Sequence, residues 1–374
     1  DSTTTRAADA NFLGLSPRRA RYRPGLGCSL EIGDTSRLDS LRTPSLVRSA
    51  APWPAGDTAD AIDPVSQRAL DRLLAADNAE GYDSRALLLV RNGVLVAEAY
   101  ADGIDERTPL LGWSMGKSLT AMLLGTLEHR GQVSVSDEGL FPEWVGDGRE
   151  SIALADLLQM TSGLAFEEVY APGSDATAML FNSHSASAVA LDKPLEFPVG
   201  EHFSYSSGTT NLLARYLVER LGGRQAALDF LYGDFMAKLA MHDSILELDP
   251  SGLFVGSSYI HSAGRDWARL GQVMLNGGAL NGSRMMSEDW VRRASSPNGS
   301  ANDPRYGYQF WLNGGGEELR WPDLPEDAYA MLGNRSQVVM IVPSAEAVIV
   351  RLGWSASTYP TSAKLARLLR SSDG

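Results

Sequence analysis

The chain has 374 residues and a mass of 40.3 kDa, enough to bury a sizeable core in one large domain or two. Its 44% hydrophobic and 21% charged residues are those of an ordinary globular protein, and a formal net charge of −13 argues against general affinity for nucleic acid or anionic membrane. Cys28 is the only cysteine, which excludes an intrachain disulfide and a cysteine-rich metal site, and no apolar stretch approaches the roughly 20 residues needed to span a bilayer.

Residues 1–60 are rich in Arg, Pro, Ser and Thr, show no sustained period, and read as an extended arm lying over the body. Within them Arg18, Arg19, Arg21 and Arg23 form a basic run, expected to be a solvated arm rather than a binding patch. The chain begins at Asp1 without a methionine, consistent with loss of a leading segment by processing or trimming. Asp63 then offers an N-cap and Pro64 a first helical position, followed by Leu70, Leu73 and Leu74 on one face. Ala86 to Arg91 and Val94 to Tyr100 flank Asn92-Gly93, a two-residue turn that supplies the positive φ angles of a hairpin.

The middle is mostly helical. Lys117 to Arg130 places Leu119, Met122, Leu123 and Leu127 on one stripe, and Gly131 closes it. Ile152 to Met160, Thr209 to Leu221, Ala263 to Leu275 and Ser287 to Arg293 read alike. Strands return at Tyr306 to Leu312, Gln337 to Val342 and Ala347 to Leu352, before a last helix carrying Leu365, Leu368 and Leu369. The expected fold is therefore α/β: an antiparallel sheet flanked by the terminal helices, built from 61–110 and 301–374, with a mainly helical lobe, 111–300, inserted.

The segment Leu111-Gly112-Trp113-Ser114-Met115-Gly116-Lys117-Ser118 carries the chemistry, and three chemistries compete for it. A phosphate-binding loop needs four residues between its glycines, but only three separate Gly112 from Gly116, so part of the amide cradle would be missing. Gly112-x-Ser114-x-Gly116 also fits the nucleophile elbow of α/β-hydrolases. That mechanism needs a late histidine, and none of His129, His184, His202, His242 and His261 lies after the middle of the chain's second half.

The third reading is Ser-x-x-Lys. With Ser114 at a helix start, Lys117 lies one turn on and on the same face, and the helix N-terminus adds partial positive charge. Lysine serves as a base only if burial lowers its pKa. The chain has four lysines against 29 arginines, and only Lys117 follows a serine by three residues. A residue that can lose its proton stands where arginine could not do the work.

With this pair come Leu157-Leu158-Gln159-Met160-Thr161-Ser162-Gly163-Leu164 and Phe197-Pro198-Val199-Gly200-Glu201-His202-Phe203-Ser204-Tyr205-Ser206-Ser207-Gly208. Together they resemble the β-lactamase-related serine hydrolases: class C β-lactamases, family VIII carboxylesterases, D,D-peptidases and nylon-oligomer hydrolases. The resemblance covers roughly residues 65 to 370. It implies an antiparallel sheet with a helical lobe and an active site between them. By position it implies Ser114 as nucleophile, Lys117 as the partner that holds or accepts its proton, and Tyr205, on the Tyr-x-Asn motif, as base or shuttle. Ser207 replaces the motif's Asn. The third motif, Lys-Thr-Gly or His-x-Gly, is matched by Asn334-Arg335-Ser336 before Gln337, so Asn334 stands for Lys or His and Ser336 for Gly. The resemblance leaves Arg335 either as a replacement for the lost charge or as an exposed arginine, implies an oxyanion-hole amide from the strand near Gln337, and matches Tyr170 to a cleft-lining tyrosine that either touches substrate or anchors its loop.

These readings converge on a cofactor-free, metal-free serine hydrolase with an acyl-enzyme on Ser114, acting on small carboxylic esters, with amides as a second class. The same-class alternative is a β-lactamase or D,D-peptidase; from another class, the alternative is a non-catalytic binding relic of the fold. No nucleic-acid partner is expected, oligomeric state is open, and the resemblance favours a periplasmic or secreted location.

Overall fold

The computed structural model describes residues 6–12 and 15–370. In chain order its elements are β1 (Ala7–Phe12), β2 (Leu15–Arg23), β3 (Gly27–Leu30), α1 (Pro64–Ala79), β4 (Ser84–Arg91), β5 (Val94–Tyr100), β6 (Leu110–Leu111) and α2 (Met115–His129). There follow α3 (Leu154–Gln159), α4 (Asp175–Asn182), α5 (Ala186–Leu191), α6 (Ser207–Arg220) and α7 (Arg224–Leu228), which runs on into a π-helical stretch. The chain then forms β7 (Ser244–Leu246), β8 (Ile260–Ser262), α8 (Gly264–Leu275), β9 (Ala279–Leu280), β10 (Ser283–Arg284) and α9 (Glu288–Ala294). It closes with β11 (Trp311–Leu312), β12 (Tyr329–Gly333), β13 (Gln337–Val342), β14 (Ala347–Gly353) and α10 (Thr361–Arg370).

The central sheet is antiparallel in the order β11-β12-β13-β14-β4-β5, so both ends of the chain build it and the helical segments lie between. Alternate side chains serve two cores: Leu87, Leu89, Val338, Met340 and Ile349 meet α1 and α10, whereas Leu88, Val90, Val339, Ile341 and Val348 meet the helical side. Strands covered on both faces carry continuous apolar runs rather than alternation. The start of α1 is capped as its sequence demands, Asp63 Oδ2 accepting from Ser66 N at 2.7 Å ahead of Pro64. At the β4–β5 turn Asn92 and Gly93 have φ of +49° and +76°.

Four expectations are corrected. Residues 7–12 and 15–30 are not an extended arm but hold a three-stranded antiparallel sheet, β1-β2-β3. Its basic run is not simply solvated: Arg23 is only 5% exposed and donates to Asp39 at 2.9 Å. The strand expected over Tyr306 to Leu312 is reduced to β11, because Gln309 turns the chain at φ +62° and sends its amide to the carbonyls of Leu157 and Leu158. Helix α2 buries every residue from Met115 to Leu127, not one stripe, and so forms the central axle of the helical lobe.

Candidate active site

Ser114 stands at the N-terminus of α2, but its hydroxyl does not cap the helix and is left to other partners. The two glycines around it answer to packing. A Cβ on Gly112 would lie 2.3 Å from the Trp267 ring, and one on Gly116 would lie 2.7 Å from the Gly256 carbonyl. Trp113, between Gly112 and Ser114, holds φ at +49°. A non-glycine residue there is strained, as residues around reacting centres often are. The Gly-x-Ser-x-Gly pattern thus reflects close approach of α2 to its surroundings. Among the described residues no histidine is hydrogen-bonded to Ser114: His202 stacks on Phe197, His184 meets Ile32 O, and His242 meets Val47 O.

Lys117 is 1% exposed and makes three contacts: Ser114 Oγ at 3.0 Å, Ser207 Oγ at 2.8 Å and the Ser257 carbonyl at 3.1 Å. Ser207, the first residue of α6, is fully buried and is held by a partner the sequence did not reveal. Glu168, in the loop between α3 and α4, accepts from Ser207 N at 2.6 Å and from Ser207 Oγ at 2.5 Å. The hydroxyl proton of Ser207 is therefore committed to Glu168, so towards Lys117 it acts only as acceptor. The Ser257 carbonyl is likewise only an acceptor. A neutral amine has two N–H bonds for these two acceptors, and its lone pair is then left for Ser114. Burial brings Lys117 from 10.5 down to about 8, with the Glu168 carboxylate opposing that shift. The Ser257 loop is fixed in turn by Asn211, whose Oδ1 accepts from Ser257 N and whose Nδ2 donates to Ser257 Oγ at 3.1 Å.

Tyr205 lies two residues before Ser207, with its hydroxyl beside the Ser114 side chain. Its ring sits 4.9 Å from Lys117 Nζ and packs on Trp311 at 5.0 Å and Tyr306 at 6.0 Å between centroids. Burial, aided by Glu168, pushes its phenol well above the ordinary tyrosine range. The neighbouring Ser114 hydroxyl opposes that shift without outweighing the desolvation, and the Tyr205 phenol stays protonated. Tyr170 is 47% exposed on the same loop as Glu168, its hydroxyl reaching Ser207, and burial of that hydroxyl followed by Glu168 pushes it up to about 12.

The third-motif residues occupy the turn between β12 and β13. Gly333 brings this turn to the candidate nucleophile: a Cβ there would sit 2.1 Å from the Gly112 carbonyl. Arg335 and Ser336 both have positive φ, +62° and +63°. The Ser336 carbonyl accepts from the buried Arg351 at 2.6 Å, and Asn334 Oδ1 accepts from Arg335 N at 2.9 Å. The Gln337 side chain is 1% exposed and turns away into the sheet, pairing with Gly353 N at 2.9 Å and with Gly353 O at 2.5 Å. The Arg335 guanidinium lies 5.5 Å over Trp354, which lies 6.2 Å from Trp113, so a row of two rings joins this cation to the residue before Ser114. Ser114, Lys117, Tyr205, Ser207 and Tyr170 are thus gathered around one point. Among the described residues no hydrogen bond, ion pair or ring contact joins Asn334, Arg335, Ser336 or Gln337 to Ser114, Lys117 or Tyr205. Glu168 and Ser257 were missed; the one signal for Glu168 was its place two residues before Tyr170.

Residues 70–372 match the β-lactamase family. The 6-aminohexanoate-dimer hydrolase of Paenarthrobacter ureafaciens is 26% identical over 298 residues, covering 71% of each chain. Among solved structures, a Bacillus anthracis protein provisionally assigned as a 6-aminohexanoate-dimer hydrolase superposes with a TM-score of 0.69 at 18% identity, over 89% of this chain and 91% of that one. A family VIII carboxylesterase superposes with a TM-score of 0.65 at 15% identity, over 83% and 98%. These last two likenesses establish the fold, and the match over most of its length establishes that the chain belongs to the β-lactamase family.

Proposed function

We propose that the protein is a serine hydrolase working through an acyl-enzyme on Ser114, and that it is a carboxylesterase of small acyl substrates with amides as a second class. Neutral Lys117 takes the Ser114 proton as Oγ attacks the carbonyl carbon. The oxyanion is received by the amide of Ser114, which has no backbone acceptor among the described residues, and by an amide of the β12–β13 turn near Gln337. Tyr205 gives its proton to the leaving alkoxide as the tetrahedral intermediate collapses, and is reprotonated from the Lys117 ammonium. Water then enters and gives its proton back through the same pair, releasing the acid and regenerating Ser114. The supporting observation is the coordination of Lys117: two obligate acceptors and one hydroxyl, around a buried amine whose pKa falls to about 8.

Two absent groups favour esters. Ser207 lacks the amide that a Tyr-x-Asn asparagine would offer to an acylamino side chain, and its hydroxyl is already occupied by Glu168 and Lys117. Asn334 replaces the cation of the third motif. Amides stay in view because a 26%-identical relative is a 6-aminohexanoate-dimer hydrolase. A fluorophosphonate probe tests the reading: one equivalent should label the native protein and none should label Ser114→Ala. An unlabelled native protein would instead mark a binding relic.

A further inference from the structure

The residues outside the family match hold a second feature that hydrolysis does not use. Between β2 and residues 36–42 lies a cavity of about 540 Å³, walled by Arg6, Arg21, Arg23 and Arg42, with Asp39 their only acidic neighbour in the lining. That volume falls within the range of small-molecule sites. Asp39 is shared between Arg23, at 2.9 Å, and Arg21, at 3.3 Å. Four guanidinium groups around one carboxylate repel one another, and in a chain of net charge −13 acidic partners were plentiful. Arg42 spends one terminal nitrogen on the carbonyls of Asp39 and Leu41.

The cluster is incompletely balanced at Arg23. It lines the cavity, is 5% exposed, and its Nη1 is buried with no hydrogen-bond partner. A buried unsatisfied donor is costly, and more so on a charged group. We propose that this cavity is a binding site for a compact phosphate-bearing ligand of at least two negative charges, held by guanidinium forks that match phosphate oxygens. The site lies outside residues 70–372 and is independent of the ester chemistry.

Titration calorimetry of the full chain with inorganic pyrophosphate at low salt tests this. The expected result is one saturable site, weakened at least tenfold in Arg21→Gln/Arg42→Gln, whose positions are exposed enough to tolerate the change, with ester turnover unchanged. Asp39→Asn should tighten binding, since it removes the competing carboxylate. A parallel arm sediments the protein with phosphatidic-acid vesicles. Pyrophosphate binding without sedimentation identifies a free phosphate compound, and sedimentation reversed by pyrophosphate identifies a lipid headgroup in the same site. No saturable binding of pyrophosphate, or binding indifferent to the double substitution, overturns the proposal.

Discussion

Glu168→Gln is the substitution that most sharply probes how Lys117 is kept ready. The replacement retains an acceptor for Ser207 while removing the charge. Glu168 Oε1 lies beyond a single hydroxyl from Lys117 Nζ, through contacts of 2.5 and 2.8 Å, so the two charges are at most about 5 Å apart. At an effective dielectric near 20 that distance gives on the order of 3 kcal/mol, and solvent at the half-buried carboxylate reduces it, leaving a shift of roughly one to two pH units. The direction follows from sign: the carboxylate favours the ammonium, so removing it lowers the Lys117 pKa further below about 8. Because the amine must be neutral to accept the Ser114 proton, kcat/KM in the native enzyme should rise with pH to a plateau above about 8. In Glu168→Gln that limb should move to lower pH. The assay is kcat/KM for p-nitrophenyl butyrate from pH 5.5 to 10. An unmoved limb, or one displaced upward, refutes Glu168 as the counter-charge of Lys117.

Lys117→Met should abolish turnover yet stabilise the fold, because a buried amine of lowered pKa costs stability wherever the unfolded chain binds the proton more tightly. The gain, up to roughly 3 kcal/mol, should be full below pH 8 and fade towards 10.5, as paired melting curves would record. Tyr205→Phe removes only the proton donor and should lower kcat by about 10²–10⁴ without loss of melting temperature; undiminished kcat would remove Tyr205 from the reaction. Arg335→Ala should leave butyrate-ester hydrolysis within about threefold, since the Arg335 guanidinium packs over Trp354 and its carbonyl is held by Ser355 N; native hydrolysis of a chromogenic cephalosporin at equal efficiency, lost in this variant, would favour the lactam reading.

What could be read in the residues was local. Asn92-Gly93, Asp63-Pro64 and the Ser114–Lys117 spacing each carry their geometry within a few positions, and each appears in the fold where the chain demands it. Strand β12 was not legible: Tyr329–Gly333 is short, follows an acidic loop, and becomes a strand only by pairing with β13. The N-terminal sheet hid behind arginines, whose long stems cover apolar surface while their charges find Asp39, Glu31 and Asn182 across the chain. Glu168 was invisible because its role depends on Ser207, 39 residues on, and on a loop whose course no period announces. The resemblance to a family identified Ser207 as a departure; the structure supplies its compensation, a hydroxyl held by a carboxylate and offered to Lys117.

The central claim is that the bond to the substrate acyl group forms at Ser114 Oγ. Its most direct test is intact-mass analysis of the enzyme quenched during turnover of a slowly deacylating ester, followed by peptide mapping. The account predicts a single acyl adduct on Ser114, absent in Ser114→Ala, whose turnover falls by on the order of 10⁶. An adduct mapped to another residue, or turnover undiminished in Ser114→Ala, would contradict it.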